Sequence, residues 1–300
     1  MKHLTIAADS HLASPDFESL SLFPGYMKKH PKRYPELVDT LKSYHDQSVE
    51  HFKEKRPHEV FIYLGDLVSG WQESGLAHPD QRAMAEDAAH DFKTMSVSFH
   101  MCWGDHDTGF TDLYGGLSIE SLQACQAISP LWWSEKIENL VFVGVTSPLA
   151  RYIGDDPGIL ALQREQSGFV WSALQAAAGA KWVLCTHQRD VLPYLKQATD
   201  EYKDTFAGLI HAHEHNPRAS KFLDWFKPIR GKFATKRVIA CPSISPLWWK
   251  GAGYLSGGVD GERLFTFLDR FTPAPAKKKP LFSSFLKCAY WCLDSINRRR

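Results

Sequence analysis

The sequence predicts an α/β fold in which helices cover both faces of a sheet built from short buried strands. Apolar runs alternate along the 300-residue chain with longer segments whose apolar residues recur at helical spacing. The hydrophobic fraction of 44% is sufficient for a sizeable core, and the charged fraction of 23% is ordinary. Five of the apolar runs are followed by Asp or His. Open α/β sheets place ligand sites at the carboxyl ends of their strands, so this pattern also predicts a site.

The individual elements follow from hydrophobic periodicity. Uninterrupted apolar runs bounded by turn-forming residues predict strands. In chain order these are residues 4–8, 60–64, 96–103, 140–145, 182–185, 206–210, 238–240 and 264–268. Segments whose apolar residues lie three or four positions apart predict amphipathic helices. In chain order these are residues 35–55, 80–93, 118–127 and 160–178.

Metal-competent side chains follow five of the predicted strands. In chain order they are Asp9 and His11, then Asp66, then Asp105 and His106, then His187, and then His213 and His215. Imidazole and carboxylate groups are common ligands of divalent metals. A single strand end of this kind is explained as well by a turn-forming Asp or a surface His, but five in the same position favour a metal site. His211 is the alternative to His213 as a ligand, if the register shifts by two residues.

The order of these motifs resembles the signature of the calcineurin-like metallophosphoesterases. That signature is Asp-x-His, Gly-Asp, Gly-Asn-His-Asp/Glu, a lone His and Gly-His-x-His. Here it stands as Asp9-Ser-His11, Gly65-Asp66, Gly104-Asp105-His106-Asp107, His187 and Ala212-His213-Glu-His215. The resemblance covers residues 4–268. It implies a sandwich of two mixed β-sheets flanked by helices, with a dinuclear metal site at the strand C-terminal ends. Residues 210–217 also resemble, more locally, a segment of bacterial UDP-diacylglucosamine pyrophosphohydrolases.

The resemblance implies which residues hold the metals. Two divalent transition metal ions are expected, of Mn, Fe, Zn or Co, because mixed nitrogen and oxygen ligands suit these ions better than Ca. One ion would be held by Asp9, His11, Asp66 and His215. The other would be held by Asp66, Asp105, His187 and His213, with Asp66 bridging. His106 resembles the family's general acid or phosphate-stabilising imidazole, and Asp107 is expected to orient it.

The chain departs from the family pattern at two positions. Ala212 replaces the Gly that precedes the first His of the last motif, which is a mild change. Asp105 replaces Asn, which adds a third carboxylate and cancels the remaining positive charge of two divalent ions and a hydroxide. We therefore expect tighter metal binding and weaker attraction of an anionic substrate.

The function implied by the resemblance is metal-dependent hydrolysis of a phosphate ester by attack of a metal-bridging hydroxide. A phosphomonoester, a phosphodiester and a pyrophosphate all remain open, and the expected substrate is a phosphorylated small molecule or lipid. The formal net charge of +1 makes nucleic acid an unlikely partner. The alternative function is a non-catalytic metal-binding scaffold of the same fold that acts as a protein-interaction module.

The chain is expected to divide into a metallophosphoesterase domain (residues 1–271), a Pro/Lys linker (272–280) and a basic amphipathic tail (281–300). The six cysteines form no Cys-x-x-Cys pair, which favours reduced thiols and a cytoplasmic location. No leader and no transmembrane segment are visible in the sequence. An apolar stripe over residues 281–296, flanked by basic clusters, predicts peripheral contact with the inner face of a membrane. The alternative is that this stripe packs on the catalytic domain.

The hexapeptide Ile-Ser-Pro-Leu-Trp-Trp occurs twice, at residues 128–133 and 244–249. Both copies are explained by loops that pack on the core. The functional alternative is an aromatic wall beside the metals that stacks a base or contacts an acyl chain.

Overall fold

The computed structural model describes residues 1–14, 33–55, 58–69, 75–109, 117–195, 200–213, 237–245 and 252–271. Its strands form two five-stranded sheets. The first sheet contains β1 (Lys2–Ala7), β2 (His58–Tyr63), β3 (Ser96–Met101), β9 (Ala252–Asp260) and β10 (Arg263–Phe271). Its strand order is β10-β9-β1-β2-β3. Strands β1, β2 and β3 run parallel, whereas β9 and β10 are antiparallel to their neighbours.

The second sheet has a similar mixed character. It contains β4 (Trp133–Ile137), β5 (Leu140–Val145), β6 (Lys181–Thr186), β7 (Phe206–His211) and β8 (Arg237–Ala240), in that spatial order. Strands β5 to β8 are parallel, and β4 pairs antiparallel with β5. The carboxyl ends of the parallel strands in each sheet therefore lie at one edge of that sheet.

Six α-helices lie between the described strands. They are α1 (Arg33–Glu54), α2 (Pro79–Met95), α3 (Asp105–Thr108), α4 (Ile119–Ile128), α5 (Ser147–Ala150) and α6 (Pro157–Ala176). Helix α6 has Asp156 as its N-cap residue, and the Asp156 carboxylate accepts the N–H groups of Gly158 and Ile159. None of the described helices is long and apolar enough to cross a membrane.

The period-two pattern of the strands places the two sheets face to face. In β2 and the residue after it, Val60, Ile62 and Leu64 point into a core shared with Phe142 and Val183 of the second sheet. The intervening residues of β2 point outward into a second core under α1, α2 and α4. Helix α6 covers the far face of the second sheet. The predicted fold class, two mixed sheets flanked by helices, is confirmed.

The sequence failed to predict two strands. Strand β9 contains Gly253, Gly257 and Gly258, and glycine is normally depleted in strands. A Cβ atom at Gly257 would lie only 1.8 Å from the carbonyl oxygen of Phe265, so the close approach of β10 requires glycine. Strand β4 begins at Trp133, the last residue of the first Trp-Trp hexapeptide, for which the sequence predicts a loop packed on the core.

The first Trp-Trp hexapeptide belongs to the core. Trp133 is buried, donates its indole N–H to the carbonyl of Met101 at 2.9 Å, and stacks on the ring of His100 with centroids 4.3 Å apart. Its cross-strand partner is Gly144, where a Cβ atom would lie 2.1 Å from the indole. This copy is therefore a packing element, while residues 246–249 of the second copy lie outside the described residues.

The cysteines within the described segments are reduced and buried, in agreement with the expectation of free thiols. They are Cys102, Cys125, Cys185 and Cys241. Burial raises the pKa of the Cys102 thiol to about 12, so this thiol stays protonated at neutral pH. Cys288 and Cys292, the linker and the tail lie outside the described residues, and the predicted division of the chain at 271 stays a prediction.

Candidate metal centre

The loops that follow β1 and β2 are tied together beyond the ends of the strands. Asp9 N–H donates to Gly65 O and His11 N–H donates to Asp66 O, each at 3.0 Å. The chain bends sharply there: Asp9, His11 and Asp66 have φ values of 61°, 51° and 55°. Four of the six described non-glycine residues with positive φ are predicted metal ligands, His213 at 68° being the fourth. Such strain is concentrated at functional sites, because the surrounding structure must enforce it.

Four of the predicted ligands converge on one point. Nε2 of His187 lies 3.0 Å from both Asp66 Oδ2 and Asp105 Oδ1, and 3.2 Å from Nδ1 of His213. The distance from His213 Nδ1 to Asp105 Oδ1 is 3.3 Å. Donor atoms that are each about 2.1 Å from one transition metal lie roughly 3.0–3.4 Å from one another. The spacing of these four atoms therefore fits a single cation, and they form one of two potential metal-binding groups in the described structure.

The hydrogen bonding of His187 strengthens this interpretation. Its Nδ1 lies 2.7 Å from the carbonyl oxygen of Leu64, which can only accept, so Nδ1 carries a proton. In a neutral ring, Nε2 would then direct a lone pair at Asp66 Oδ2 and Asp105 Oδ1, two buried oxygens that receive no hydrogen bond. Three acceptors at this distance need either a second proton on His187 or a cation. The donor set therefore fits a divalent metal, and a backbone carbonyl that fixes the tautomer is typical of a metal ligand.

The pKa values of these groups reflect the electrostatic interactions between the buried carboxylates and imidazoles. Burial opposes charge on Asp105, but His213 and His187 outweigh it and hold the pKa of the carboxyl well below its usual range. Burial likewise opposes a proton on His187, yet Asp66 and Asp105 raise the pKa of its imidazole well above 6.5. A proton and a metal therefore compete for Nε2, so metal affinity should fall as the pH is lowered.

Asp66 is placed to bridge to a second group. Its Oδ1 accepts the backbone N–H of His106 at 3.1 Å, which directs Oδ2 toward the histidines. Oδ2 lies 3.9 Å from His11 Nε2 and 3.8 Å from His106 Nε2, and these three residues form the second potential metal-binding group. The resemblance assigned His106 a catalytic role, so its presence here instead of Asp9 is a difference from the expected set.

Asp9 is fully buried beside His187 of the first group, and it belongs to neither potential metal-binding group. Its Oδ1 lies 3.9 Å from Nδ1 of His187. Burial raises the pKa of the Asp9 carboxyl well above its usual value, and the charge of Asp66 acts in the same direction. His215, the remaining expected ligand of this metal, lies outside the described residues.

The expected role of Asp107 requires correction. Both of its carboxylate oxygens are occupied by backbone N–H groups rather than by the imidazole of His106. Oδ2 accepts from Asp66 at 2.8 Å and Gly104 at 3.0 Å, and Oδ1 accepts from Leu67 at 2.9 Å and Val68 at 3.1 Å. Asp107 thus joins the loop after β2 to the loop after β3, and it is a positioning residue for Asp66. Asp107 is the fourth residue of its motif, and its role is to hold the backbone of the two loops in place. The linear motif alone does not reveal this role.

The same contact requires glycine at two positions. Gly65 has φ +91°, and a Cβ atom there would lie 2.6 Å from Gly104 N. A Cβ atom at Gly104 would lie 2.1 Å from Asp66 Oδ1. The glycines of the second and third motifs therefore allow their loops to touch.

Sequence reasoning missed a polar chain that supports the first motif. Ser10 N–H donates to the hydroxyl of Tyr63 at 2.8 Å, and Tyr63 donates to Ser10 Oγ at 2.7 Å. Ser10 Oγ in turn lies 3.3 Å from Nδ1 of His45 on α1. The available signal was helical spacing, since His45 lies four residues after the buried Leu41 and therefore on the same face.

The structure bears on the choice between His213 and His211 at the last motif. His213 belongs to the four-residue group, whereas His211 is the last residue of β7 and is not a member. This grouping favours the register without a shift, and His213 as a ligand stays a prediction. The aromatic wall is not supported by the first hexapeptide, whose first tryptophan, Trp132, packs near Phe169 of α6 with centroids 6.4 Å apart.

Comparison with known proteins gives only distant likenesses. No protein-family model and no curated protein sequence matches the chain. A purple acid phosphatase from yellow lupin (Lupinus luteus) seeds is similar at 14% identity and a TM-score of 0.42, over 72% of this chain. The chain spans 38% of the length of that phosphatase.

Two structures of Vacuolar Protein Sorting 29 are also similar. The protein from Entamoeba histolytica, a single mutant, gives 9% identity and a TM-score of 0.35, covering 90% of this chain and 99% of its own. The protein from Cryptosporidium parvum gives 11% identity and a TM-score of 0.29, covering 90% and 98%. These likenesses are too distant to carry an argument about what the chain does.

Proposed function

We propose that the chain is a metal-dependent hydrolase that cleaves a phosphate ester at the edge where the parallel strands end. The observation that supports this most is the convergence of Asp66, Asp105, His187 and His213, whose ligand atoms all lie within 4.8 Å of one another, with His187 Nε2 3.0 Å from both carboxylates. Two buried carboxylates so close to one site repel each other and need a positive charge between them, which a metal ion or a protonated imidazole supplies. A structural ion pair would not need four such groups.

The residues divide into ligands and a proton donor. Asp66, Asp105, His187 and His213 would hold one divalent transition metal, and Asp66 Oδ2 would be shared with a second ion near His11. Two such ions, when bound, neutralise charge on the phosphoryl group and lower the pKa of a water. His106 is nearly buried, and its ring meets that of His11 edge to face with centroids 5.0 Å apart. From this position it would donate a proton to the departing oxygen of the ester.

The charge of the site constrains the substrate class. Asp9, Asp66 and Asp105 together carry three formal negative charges, which offset most of the charge of two divalent ions. A site that is nearly neutral when loaded attracts a highly charged anion less strongly. We therefore favour an ester with a low charge at phosphorus, carried by a small molecule or a lipid, over a polyanion such as nucleic acid. Buried reduced thiols support a cytoplasmic setting.

The test combines metal content with turnover. Protein purified with Mn or Zn should retain about two ions per chain, and it should hydrolyse aryl phosphate monoesters or diesters until a chelator is added. Asp66→Asn should reduce both metal content and rate, because it weakens the shared ligand. The matched control is Asp87→Asn, a change of the same type at an exposed position of α2.

Two results would overturn the proposal. If the folded protein retains no metal after loading with Mn or Zn, the site is not a metal centre. If it retains metal but turns over none of a panel of phosphomonoesters, cyclic nucleotides and nucleoside diphosphate conjugates, the chain is the non-catalytic scaffold.

A further inference from the structure

A cleft outside the metal centre has the composition of a small-molecule site. It lies between α6, the turn that follows α5, and the 3-10 segment Arg189–Leu195, which comes directly after the loop carrying His187. Its volume is about 530 Å³, within the range of sites that hold small ligands. Tyr152, Trp171 and Tyr194 line it together with Arg164 and Gly168.

The aromatic walls of this cleft are held in place and are separated. The hydroxyl of Tyr152 accepts the N–H of Asp156 at 3.2 Å, and the indole of Trp171 donates to Glu201 Oε2 at 2.7 Å. Among the described residues, neither of these rings nor that of Tyr194 stacks on another aromatic ring. Tyr194 is 46% exposed. Tyr194 thus presents ring surface at the cleft that a planar ligand can cover, while Tyr152 and Trp171 are partly buried walls fixed by core packing.

Gly168 is an exposed residue that lines the cleft without any packing reason to be glycine. It lies inside the 20-residue helix α6, where glycine is unfavourable relative to alanine. A Cβ atom placed there would meet no atom within 4 Å, so the space above it is open. A side chain at this position would fill the cleft rather than disturb the fold.

Arg164 supplies a cation at the rim, one helical turn before Gly168. Arg164 is exposed, and no carboxylate partner for it occurs in the described part of the chain. Guanidinium groups bind phosphate and carboxylate oxygens in a planar, two-pronged geometry and also stack on rings. The cleft therefore combines flat apolar walls with a positive charge at one side.

We propose that this cleft binds a nucleotide, with the base lying between the aromatic side chains over Gly168 and the phosphate at Arg164. Stacking between a base and an aromatic side chain tolerates any base, since every base presents a π-face. The site is distinct from the metal centre. It therefore does not depend on the proposed hydrolysis and would stand if that activity were absent.

The experiment measures binding of AMP and UMP to the full-length, chelator-treated protein by isothermal titration calorimetry. Adenosine and ribose 5-phosphate are the comparison ligands, because the first lacks the phosphate and the second lacks the base. We expect both nucleotides to bind at least about tenfold more tightly than either fragment, in line with the loss of a charge-assisted contact or a stacked ring. Equal binding of AMP and ribose 5-phosphate would overturn the stacking role.

Variants at Gly168 locate the site. Gly168→Leu should fill the cleft and weaken AMP binding at least about tenfold, whereas Gly168→Ala should leave it within about twofold. Circular dichroism checks that both variants are folded. Arg164→Ala should weaken AMP about tenfold and leave adenosine unchanged. If Gly168→Leu binds AMP as the unchanged protein does, the nucleotide binds elsewhere, as at the metal ligands, and the proposal is wrong.

Discussion

The assignment of Asp107 as a positioning residue can be tested by replacing it with Asn. The carboxylate accepts four backbone N–H groups, two on each oxygen. An Asn side chain keeps one acceptor oxygen and directs its amide group at the other two N–H donors. Two hydrogen bonds to an ionised acceptor would be lost, at about 1.5–3 kcal/mol each. We expect a loss near the lower end, about 3 kcal/mol, because burial and the nearby Asp66 already raise the pKa of Asp107 to about 6.

The measurement is urea unfolding of chelator-treated protein at about pH 8, where the carboxylate is ionised. Asp107→Asn should lower the free energy of unfolding by about 3 kcal/mol and lower Tm by roughly 6–12 °C. Asp87→Asn, at an exposed position of α2, is the matched control and should change the free energy of unfolding by less than about 0.5 kcal/mol.

The alternative reading makes an opposite prediction. If Asp107 served to orient His106, Asp107→Asn would leave stability near that of the unchanged protein. It would also reduce hydrolysis selectively for esters with poor leaving groups. That combination of results would refute the positioning role derived from the hydrogen bonds.

Four further predictions follow from the site, the support beneath it and the tail. His106→Ala should keep metal content and reduce the rate on a poor leaving group by about 10²–10⁴, with a smaller loss for nitrophenolate; equal losses would indicate phosphate positioning instead. Asp105→Asn should weaken metal retention and move the pH–rate profile to lower pH, and an unchanged profile with unchanged affinity would exclude Asp105 as a ligand. Burial lowers the pKa of His45 from 6.5 to about 4. The stability that its neutral imidazole contributes to the folded state is therefore fully present above pH 6.5 and is lost as the pH falls toward 4. Between pH 7 and 4, the free energy of unfolding of the unchanged protein should therefore fall by about 3 kcal/mol more than that of His45→Leu. His90→Gln, at an exposed position, is the control and should behave as the unchanged protein does. Parallel pH curves for the unchanged protein and His45→Leu would contradict this. A chain ending at Phe271 should stay folded and lose co-sedimentation with anionic vesicles, whereas unfolding of the shortened chain would place the tail on the domain.

The sequence was sufficient for the parts of the fold that depend on local pattern. Apolar runs marked the buried strands of both sheets, because strands enclosed on both faces need few polar residues. The strand β9 was not visible, since its glycines are required by contacts with β10 that lie far from any local pattern. The antiparallel start of the second sheet was hidden because Trp133 packs opposite Gly144, and that pairing is a tertiary contact.

The residues of the site also divide into those that local motifs predict and those whose roles depend on the fold. The motifs placed Asp66, Asp105, His187 and His213 at strand ends, and parallel pairing brings Asp66 near Asp105 in the first sheet and His187 near His213 in the second. The meeting of the two pairs depends on the packing of one sheet against the other, which no local pattern predicts. The role of Asp107 could not be read from the motif, because its four partners are backbone groups whose positions depend on the fold. The support that Ser10 receives from His45 and Tyr63 likewise depends on how α1 packs on the first sheet.

The central claim is that Asp66, Asp105, His187 and His213 together bind a divalent cation. The most direct test is the anomalous diffraction of crystals of the full-length protein loaded with Mn or Zn. The geometry predicts an anomalous peak about 2.0–2.2 Å from Asp66 Oδ2, Asp105 Oδ1, His187 Nε2 and His213 Nδ1. A map from loaded crystals with no peak among these four atoms, and His187 Nε2 hydrogen-bonded to the carboxylates instead, would contradict it.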